Sequence, residues 1–182
     1  MLNFLKKNIA LAWAKRHVLQ TKNFKNNAER LQEELLLTLV KTAEKTLFGR
    51  SHDFGNIKTV KDFQEKVKIN DYEDLKFYIE KVKKGQRDIL WIGTPEYFAK
   101  TSGTTSGSKY IPISKEAMPF QVKGAQSALF HYIAEKNNAD FVTGKMIFLQ
   151  GSPELEEVYG IKTGRRSGIV AHHIPKYLQK KD

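Results

Sequence analysis

The 182-residue sequence contains no cysteine. Disulfide bonds and thiolate metal sites are therefore excluded, and we expect a protein of the reducing cytoplasm. No run approaches the roughly 18 to 20 consecutive apolar residues of a membrane-spanning helix. We expect a soluble protein with no membrane partner. Lys15, Arg16 and His17 stand where a secretory signal would need small residues, which argues against such a signal.

Acidic residues are scarce, since 20 Asp and Glu accompany 31 Lys and Arg and the formal net charge is +11. Such a field attracts nucleic acid, anionic lipid or a nucleotide phosphate. The basic residues are spread along the whole chain, mostly beside Glu or Asp on predicted helix faces. This distribution favours solvated helix surfaces and disfavours a nucleic-acid-binding stripe. A non-catalytic basic module that binds nucleic acid or an acidic partner is the alternative function.

The first 85 residues have the pattern of helices, in a chain long enough for one compact domain. One helix is predicted over residues 1–22, and a second from Asn27 to Phe48, where Gly49 would supply a left-handed cap. The residues expected to face the core form two stripes: Leu5, Ile9 and Trp13 in the first helix, and Leu31, Leu35, Leu39, Ala43 and Leu47 in the second.

Two shorter helices are predicted from their capping residues. The pairs Thr59/Asp62 and Asp71/Asp74 place an oxygen-bearing side chain three residues before an acidic one, which is the pattern of a capping box. The first helix should run through residue 67, and the second should be closed by Gly85. Its inward face is expected to contain Leu75, Tyr78, Ile79 and Val82.

After Gly85 the sequence changes to short apolar runs separated by Gly, Pro and Ser, which is typical of strands and loops. Strands are predicted at Ile89–Ile92, Tyr97–Lys100, Tyr110–Ile113 and Met146–Leu149. Ser114 should cap a long helix to about Lys136, with an inward face of Val122, Ala125, Leu129, Tyr132 and Ile133. Residues 151–182 are predicted to be mostly loop. The order of elements predicts an α/β fold, with a helical amino-terminal half followed by part of a sheet with flanking helices.

A nine-residue loop that follows the second predicted strand contains the candidate binding residues. It contains six hydroxyl residues, two glycines and one lysine: Thr101, Ser102, Gly103, Thr104, Thr105, Ser106, Gly107, Ser108 and Lys109. Glycines let consecutive N–H groups converge on an anion, hydroxyls donate to phosphate oxygens, and the lysine adds a point charge. The loop therefore predicts a polyphosphate-binding element. A Ser/Thr/Gly-rich surface turn is the alternative.

The spacing differs from that of a Walker P-loop. Three residues separate Gly103 from Gly107, one more precedes Lys109, and Tyr110 follows in place of Ser or Thr. A kinase or ATPase of that class is disfavoured. The core Ser102-Gly103-Thr104-Thr105 instead resembles the first nucleotide motif of the adenylate-forming superfamily.

A wider stretch resembles one family of that superfamily, the auxin-responsive (Gretchen Hagen type) acyl-acid amido synthetases in their bacterial form. The likeness covers most of residues 30–175. It rests on Asp71-Tyr72-Glu73-Asp74-Leu75-Lys76, Tyr78-Ile79, Gly85, Ile89-Leu90, Pro95-Glu96-Tyr97-Phe98 and Lys109-Tyr110-Ile111-Pro112.

The resemblance implies an enzyme that uses ATP and Mg²⁺. Members of this family activate a carboxylic acid to an acyl-adenylate and then pass the acyl group to an amine such as an amino acid. By resemblance, Ser102, Gly103, Thr104, Thr105 and Gly107 bind the phosphates, and Lys109 is their charge partner. Residues 1–182 would be the amino-terminal part of an adenylate-forming domain, with 1–85 mainly helical and 86–182 carrying strands, the phosphate loop and a helix.

The family's later nucleotide motifs, its ribose-binding aspartate and its carboxy-terminal lysine belong to a longer chain and are not found after Gly151. We therefore expect the 182-residue chain to be an incomplete, inactive member, and the sequence assigns no catalytic residue. We also expect self-association through an exposed sheet edge.

Two further clusters have simpler explanations. His172 and His173 are adjacent, so their side chains point apart on a strand or helix, and no nearby carboxylate completes a metal site; we predict no metal site. Arg165-Arg166 could contact an anion, although an exposed basic turn is the commoner explanation. Glu154, Glu156 and Glu157 are predicted to form a solvated acidic turn.

Overall fold

The computed structural model describes residues 2–101, 107–144 and 151–173. The chain divides into two compact units. A helical unit contains Met1–Leu31 and Pro119–Leu149, and a sheet unit contains Gln32–Met118 and Gln150–Asp182. Among the described residues, no helix has the length and apolarity needed to cross a membrane.

The described residues form a mixed α/β structure, as the sequence predicts. The helices are α1 (Leu2–Asn26), α2 (Ala28–Ala43), α3 (Leu47–Ser51), α4 (Val60–Lys66), α5 (Tyr72–Lys83), α6 (Ala117–Lys136) and α7 (Arg166–Ala171), with 3₁₀ turns at Phe54–Asn56 and Asp140–Thr143. The strands are β1 (Tyr97–Thr101), β2 (Lys109–Ile113), β3 (Glu156–Val158) and β4 (Ile161–Gly164).

The four strands form one sheet in the order β2-β1-β4-β3. Strand β2 runs antiparallel to β1, and Thr101 is paired with Lys109. Strand β4 runs parallel to β1, and Ala99 lies beside Gly164. Because parallel strands end at the same edge, the carboxyl ends of β1 and β4 are neighbours. The loop predicted to bind phosphate begins at this edge.

Alternation along β1 gives the sheet two buried faces. Phe98 packs with Val82, Ile89 and Ile161, which places α5 on one face. Tyr97 and Ala99 pack with Ile113, Met118 and Ile169 on the other face, where α7 lies. The helical layer of α2 has a further cluster formed by Val40, Ala43, Phe54 and Ile57.

The buried face of α1 differs from the predicted one. Leu5, Ile9 and Trp13 are exposed. Ala14 is instead fully buried with Ile133 of α6 and Ala139, and Ala10 and Leu11 pack around them. Small alanine side chains let two helices approach closely, so the alanine face packs and the larger apolar stripe does not. His17 and Ser127 add a 2.8 Å hydrogen bond between α1 and α6.

The predicted face of α6 was right at Ile133 and wrong at most of its other positions. Ile133 is buried as predicted, but Leu129 and Tyr132 are exposed, as is Ala125, and Val122 is half-buried. The packed face continues through Phe130 and Ala134, because the contact comes from the alanine face of α1. The start of the helix matches the prediction more closely, since the Ser114 hydroxyl accepts a hydrogen bond from the N–H of Ala117.

The predicted helix Asn27–Phe48 is two helices, α2 and α3. Thr46 ends the first stretch and caps α3, accepting a hydrogen bond from the N–H of Gly49. Ala43 of the predicted stripe is buried as expected, but Leu35 and Leu39 are exposed, and Leu36 and Val40 pack inward in their place. Gly49 is a buried residue inside α3 and not a left-handed cap.

The predicted strand Ile89–Ile92 was also wrong. The segment forms a series of bends. A hydrogen bond from the Asp88 N–H to the Gly93 carbonyl joins its two ends. The carbonyls of Asp88 and Ile89 accept hydrogen bonds from the N–H groups of Leu47 and Phe48. The backbone of this segment therefore caps α3 and is not available to a sheet.

The capping-box helices are confirmed. Both boxes of α4 and α5 are formed in full, at Thr59/Asp62 and Asp71/Asp74. Gly85 has a φ of 76° after the end of α5. The inward face of α5 is also as predicted, with Ile79 and Val82 buried and Tyr78 packed against the same cluster.

Residues 151–173 contain more structure than predicted. They form β3, β4 and α7, and bury Ile161 and Ile169. Glu156 and Glu157 belong to the edge strand β3 and not to a turn. These elements have only three to six residues, too few for a periodic pattern to show in the sequence. The predicted strand Met146–Leu149 lies outside the described residues.

Candidate functional site

The predicted phosphate loop joins two paired strand ends. Thr101 is the last residue of β1, and Lys109 is the first of β2. The strands predicted on either side of the loop are thus confirmed. Ser102, Gly103, Thr104, Thr105 and Ser106 lie outside the described residues. The described ends of the loop, Thr101 and Lys109, lie at the carboxyl edge shared by β1 and β4, the edge at which open α/β sheets bind ligands.

A groove of about 540 Å³ opens beside the loop anchors. We call it the edge groove. Its walls come from the end of β1, the residue before β2, the end of β4 and the segment before β3. They include Lys100, Thr101, Ser108, Glu154, Gly164 and Arg165. Of the described loop residues, Thr101 and Ser108 line the groove, and both carry hydroxyl groups. Gly107 and Lys109 are not part of its wall.

An ion pair across the sheet lies in the wall of the edge groove. The Lys100 Nζ of β1 is 3.2 Å from the Glu156 Oε2 of β3. Thr163 of β4 lies between the two strands and is fully buried, with its hydroxyl donating to the Ile161 carbonyl at 3.1 Å. The ion pair therefore reaches across β4 and links β1 to β3 one residue before the loop begins.

Lys109 is held by an aromatic side chain outside the groove. Its Nζ lies 5.2 Å from the centroid of the Tyr72 ring, a cation–π geometry. The Tyr72 hydroxyl accepts a hydrogen bond of 2.9 Å from the N–H of Tyr110. Because Tyr72 is the first residue of α5, the helix fixes both the backbone and the charge at the point where the loop ends.

Gly107 supplies the backbone conformation that the end of the loop needs. Its φ is 82°, in the left-handed region that side chains rarely adopt. No described atom would lie within 4 Å of a Cβ at this position. Glycine is therefore favoured at position 107 by its backbone conformation, and not by a lack of space for a side chain.

Close packing holds the segment before β3 against β4 and α7 next to the groove. A Cβ on Gly168 would lie 2.2 Å from the Ser152 carbonyl oxygen, and one on Gly164 would lie 2.6 Å from Leu155 Cδ2. The Gly151 N–H donates to the Ser167 hydroxyl at 2.9 Å. Gly164 and Gly168 therefore let the segment before β3 lie directly against the end of β4 and against α7.

The two adjacent histidines have separate partners. His173 Nε2 lies 3.1 Å from the Tyr97 hydroxyl, and His172 Nε2 lies 2.7 Å from the Pro153 carbonyl oxygen. Burial raises the pKa of the Tyr97 hydroxyl above its usual value, and Glu96 adds to the effect. Within the described part of the chain, no group of three His, Cys, Asp or Glu side chains could hold a metal ion.

The sequence alone did not single out Lys100 or Tyr72 as parts of this region. Tyr72 belonged to the stretch that carries the family resemblance, but its contact with Lys109 joins residues 37 positions apart, and no local pattern shows it. Lys100 directly precedes the loop, and that position was the available signal. Its partner Glu156 becomes visible only when β3 is placed in the sheet.

Comparison with known proteins identifies the family. A sequence model described as the GH3 family N-terminal domain matches residues 18–181. The chain belongs to the GH3 family. This confirms the family of acyl-acid amido synthetases expected from the sequence motifs. A comparison with curated proteins finds no match for this GH3 chain.

Solved structures of GH3 proteins share its fold. One, a GH3.15 acyl acid amido synthetase, has a TM-score of 0.73 and 18% identity, and the match covers 85% of this chain. A second, AtGH3.15 acyl acid amido synthetase in complex with 2,4-DB, has a TM-score of 0.75 and 19% identity over 91% of this chain. At these identities the likeness shows the fold. The present chain spans 28% of the length of each of these two proteins.

Proposed function

We propose that this GH3 chain supplies the phosphate-binding part of an ATP-dependent acyl-acid amido synthetase. The proposed reaction activates a carboxylic acid to an acyl-adenylate with release of pyrophosphate, and then forms an amide with an amino acid or another amine. The observation that supports it is the position of the loop 101–109, which joins the carboxyl end of β1 to β2 beside the edge groove.

The residues at the site suit a nucleotide phosphate. Thr101 and Ser108 offer hydroxyl donors in the groove wall, and Gly107 has the left-handed backbone that lets neighbouring N–H groups converge. Lys109 adds a positive charge beside the exit of the loop. Mg-ATP would supply the adenylyl group and a leaving pyrophosphate. The loop residues would bind that pyrophosphate, whose negative charge grows as the bond to it breaks.

The activity of the whole enzyme needs more than these residues. The carboxylate, the phosphates and Mg²⁺ must be held in line, and such orientation contributes roughly 7 to 11 kcal/mol to lowering the barrier. This chain spans 28% of the length of the similar synthetases. We therefore expect the 182-residue chain to bind Mg-ATP without catalysing carboxylate-dependent pyrophosphate exchange. Exchange above the level of a Gly103→Val control would contradict this expectation.

Calorimetric titration of the chain with Mg-ATP tests the proposal. Lys109→Ala should weaken binding by roughly 10- to 100-fold, as expected for loss of a charge-assisted interaction. Gly103→Val should weaken it through the backbone. Lys84→Ala removes an exposed lysine after the end of α5 and should leave the affinity unchanged. Unaltered Mg-ATP affinity in both loop variants, with the fold intact by circular dichroism, would exclude the loop as the phosphate site.

A further inference from the structure

We propose that Arg165 is an anion-binding residue of the edge groove and takes an oxyanion group of the ligand. The inference rests on the proposed function for the identity of that ligand. It assigns a binding role to one arginine of the Arg165-Arg166 pair and none to the other.

The position of Arg165 follows from the sheet. Arg165 directly follows Gly164, the last residue of β4, which lies beside Ala99 in the parallel strand β1. It therefore leaves the sheet at the level of Lys100, next to the strand end from which the phosphate loop begins. Arg165 lines the edge groove together with the loop anchors Thr101 and Ser108, whereas Arg166 does not.

The stem of the arginine is packed although the residue is exposed. A Cβ built on Gly151 would lie 2.9 Å from Arg165 Cδ and 3.2 Å from its Cβ. The backbone of Gly151 is itself held by the hydrogen bond from its N–H to the Ser167 hydroxyl. The aliphatic part of Arg165 thus lies against a fixed backbone segment, which limits where its guanidinium can go.

Arg165 makes no ion pair with another described residue, although two acidic side chains, Glu154 and Glu156, line the same groove. Glu156 is already paired with Lys100. A packed arginine without a carboxylate partner, in a groove beside a phosphate loop, is suited to an anion brought by the ligand.

The guanidinium geometry indicates which chemical groups of the ligand Arg165 would bind. Its planar fork of N–H donors matches two oxygens of one carboxylate or phosphate, which a lysine cannot do. The proposed reaction offers both groups, as the phosphates of ATP and as the carboxylate of the acid. The shared chemistry is an oxyanion with at least two acceptor oxygens, and binding to separate probes distinguishes the two sources.

The test titrates the 182-residue chain with Mg-ATP, inorganic pyrophosphate and benzoate, the last as a simple carboxylate. Arg165→Gln should weaken at least one probe by roughly 10- to 100-fold, because a charge-assisted contact is lost. Arg166→Gln is the matched control and should bind all three as the unaltered chain does. Loss confined to Mg-ATP and pyrophosphate assigns Arg165 to a phosphate, and loss confined to benzoate assigns it to the carboxylate.

Two further variants separate the effect of the position of the Arg165 side chain from the effect of its charge. Gly151→Ala keeps Arg165 but places a Cβ against its stem, so it should weaken the same probe as Arg165→Gln. Arg165→Lys keeps the charge without the fork and should restore only part of the affinity.

The proposal would be overturned if Arg165→Gln bound each of the three probes with the same affinity as Arg166→Gln. The loop would remain the phosphate site if Lys109→Ala still weakened Mg-ATP. If the unaltered chain bound none of the three probes, both the role of Arg165 and the phosphate site in the loop would be overturned.

Discussion

Gly49 shows how a single residue can be required for a reason the sequence does not reveal. It lies in α3, where a Cβ would be 2.1 Å from the Ala43 carbonyl oxygen and 2.9 Å from that of Glu44. Both contacts are with backbone, which cannot rotate away. The end of α2 therefore passes so close to α3 that no side chain fits between them.

Gly49→Ala should destabilise the protein by about 1 to 3 kcal/mol, the usual cost of overpacking a buried site. Gly124→Ala in α6 is the matched control, because no described atom lies within 4 Å of a Cβ there. That change should stabilise the helix by about 0.5 to 1 kcal/mol through backbone entropy and propensity. Urea denaturation of both variants measures the difference. A Gly49→Ala variant as stable as Gly124→Ala would show that α2 and α3 are further apart.

Tyr72 makes two separable contacts at the end of the proposed phosphate loop. Tyr72→Phe removes the hydroxyl that accepts from the Tyr110 N–H but keeps the ring beneath Lys109, whereas Tyr72→Leu removes both. If the ring positions the lysine for phosphate, Mg-ATP affinity should fall several-fold in Tyr72→Leu, since a cation–π contact contributes about 0.5 to 2 kcal/mol. Tyr72→Phe should bind within about two-fold of the unaltered chain, because a neutral hydrogen bond contributes little net energy. Equal losses in the two variants would exclude a role for the ring.

At the scale of elements, helix α4 depends on its capping box. The Asp62 carboxylate accepts hydrogen bonds from the N–H groups of Lys58 and Thr59, both at 2.9 Å. The hydrogen bond from the Lys58 backbone is the main cause that lowers the pKa of Asp62 below its usual value, and hydrogen bonding to Thr59 adds to it. A carboxylate with a lowered pKa in the folded state contributes stability only while it is ionised.

The sign of the pH dependence follows. The contribution of Asp62 is fully present above the ordinary aspartate pKa of about 3.9 and is lost as the pH falls through the lower folded value. Asp62→Asn should therefore lower the urea midpoint at pH 7, and the difference from the unaltered chain should shrink below about pH 4. Glu33→Gln, an exposed change on α2, should not reproduce this loss. A difference between Asp62→Asn and the unaltered chain that stayed constant down to pH 2 would contradict the assignment.

The elements that could be predicted from sequence are those fixed by local chemistry. Helix α5 begins at a capping box and ends before Gly85, and both signals lie within the helix itself. The apolar face of α1 could not be predicted, and that of α2 only at Ala43, because Ala14 and Val40 are buried by partners outside their own helices. The bends at 89–92 depend on hydrogen bonds to α3, some 40 residues earlier, which apolar composition cannot indicate.

The candidate site likewise has one part that could be predicted from sequence and another that could not. The composition of residues 101–109 indicated the loop, because hydroxyls, glycines and a lysine at that density have few structural uses. Lys100 with Glu156, and Arg165 with Gly151, are brought together only when β4 pairs with β1. The groove is therefore a property of the sheet, and a sequence pattern shows only the part of it that is contiguous in the chain.

On the scale of the whole molecule, the net charge of +11 raises the alternative of a nucleic-acid-binding module. Several of the described lysines lie within hydrogen-bonding distance or ion-pair distance of an acidic side chain. These pairs are Lys7–Asp140, Lys41–Glu44, Lys61–Glu65, Lys66–Asp53, Lys76–Glu73, Lys83–Glu80 and Lys100–Glu156. Paired lysines are less available to neutralise phosphates of a duplex.

The salt dependence of binding distinguishes the two functions. A module that neutralises Z phosphates loses affinity for duplex DNA with a slope of about −0.9Z in log K against log salt. We expect weak duplex binding that vanishes near physiological salt and is unchanged by Lys109→Ala, because the general positive field and not the loop would cause it. Mg-ATP binding should persist at that salt and depend on Lys109. Fluorescence anisotropy with labelled duplex DNA and with a labelled ATP analogue, each between 50 and 300 mM salt, measures both. Tight duplex binding that survived at 150 mM salt, together with no measurable Mg-ATP binding, would favour the basic module over the phosphate site.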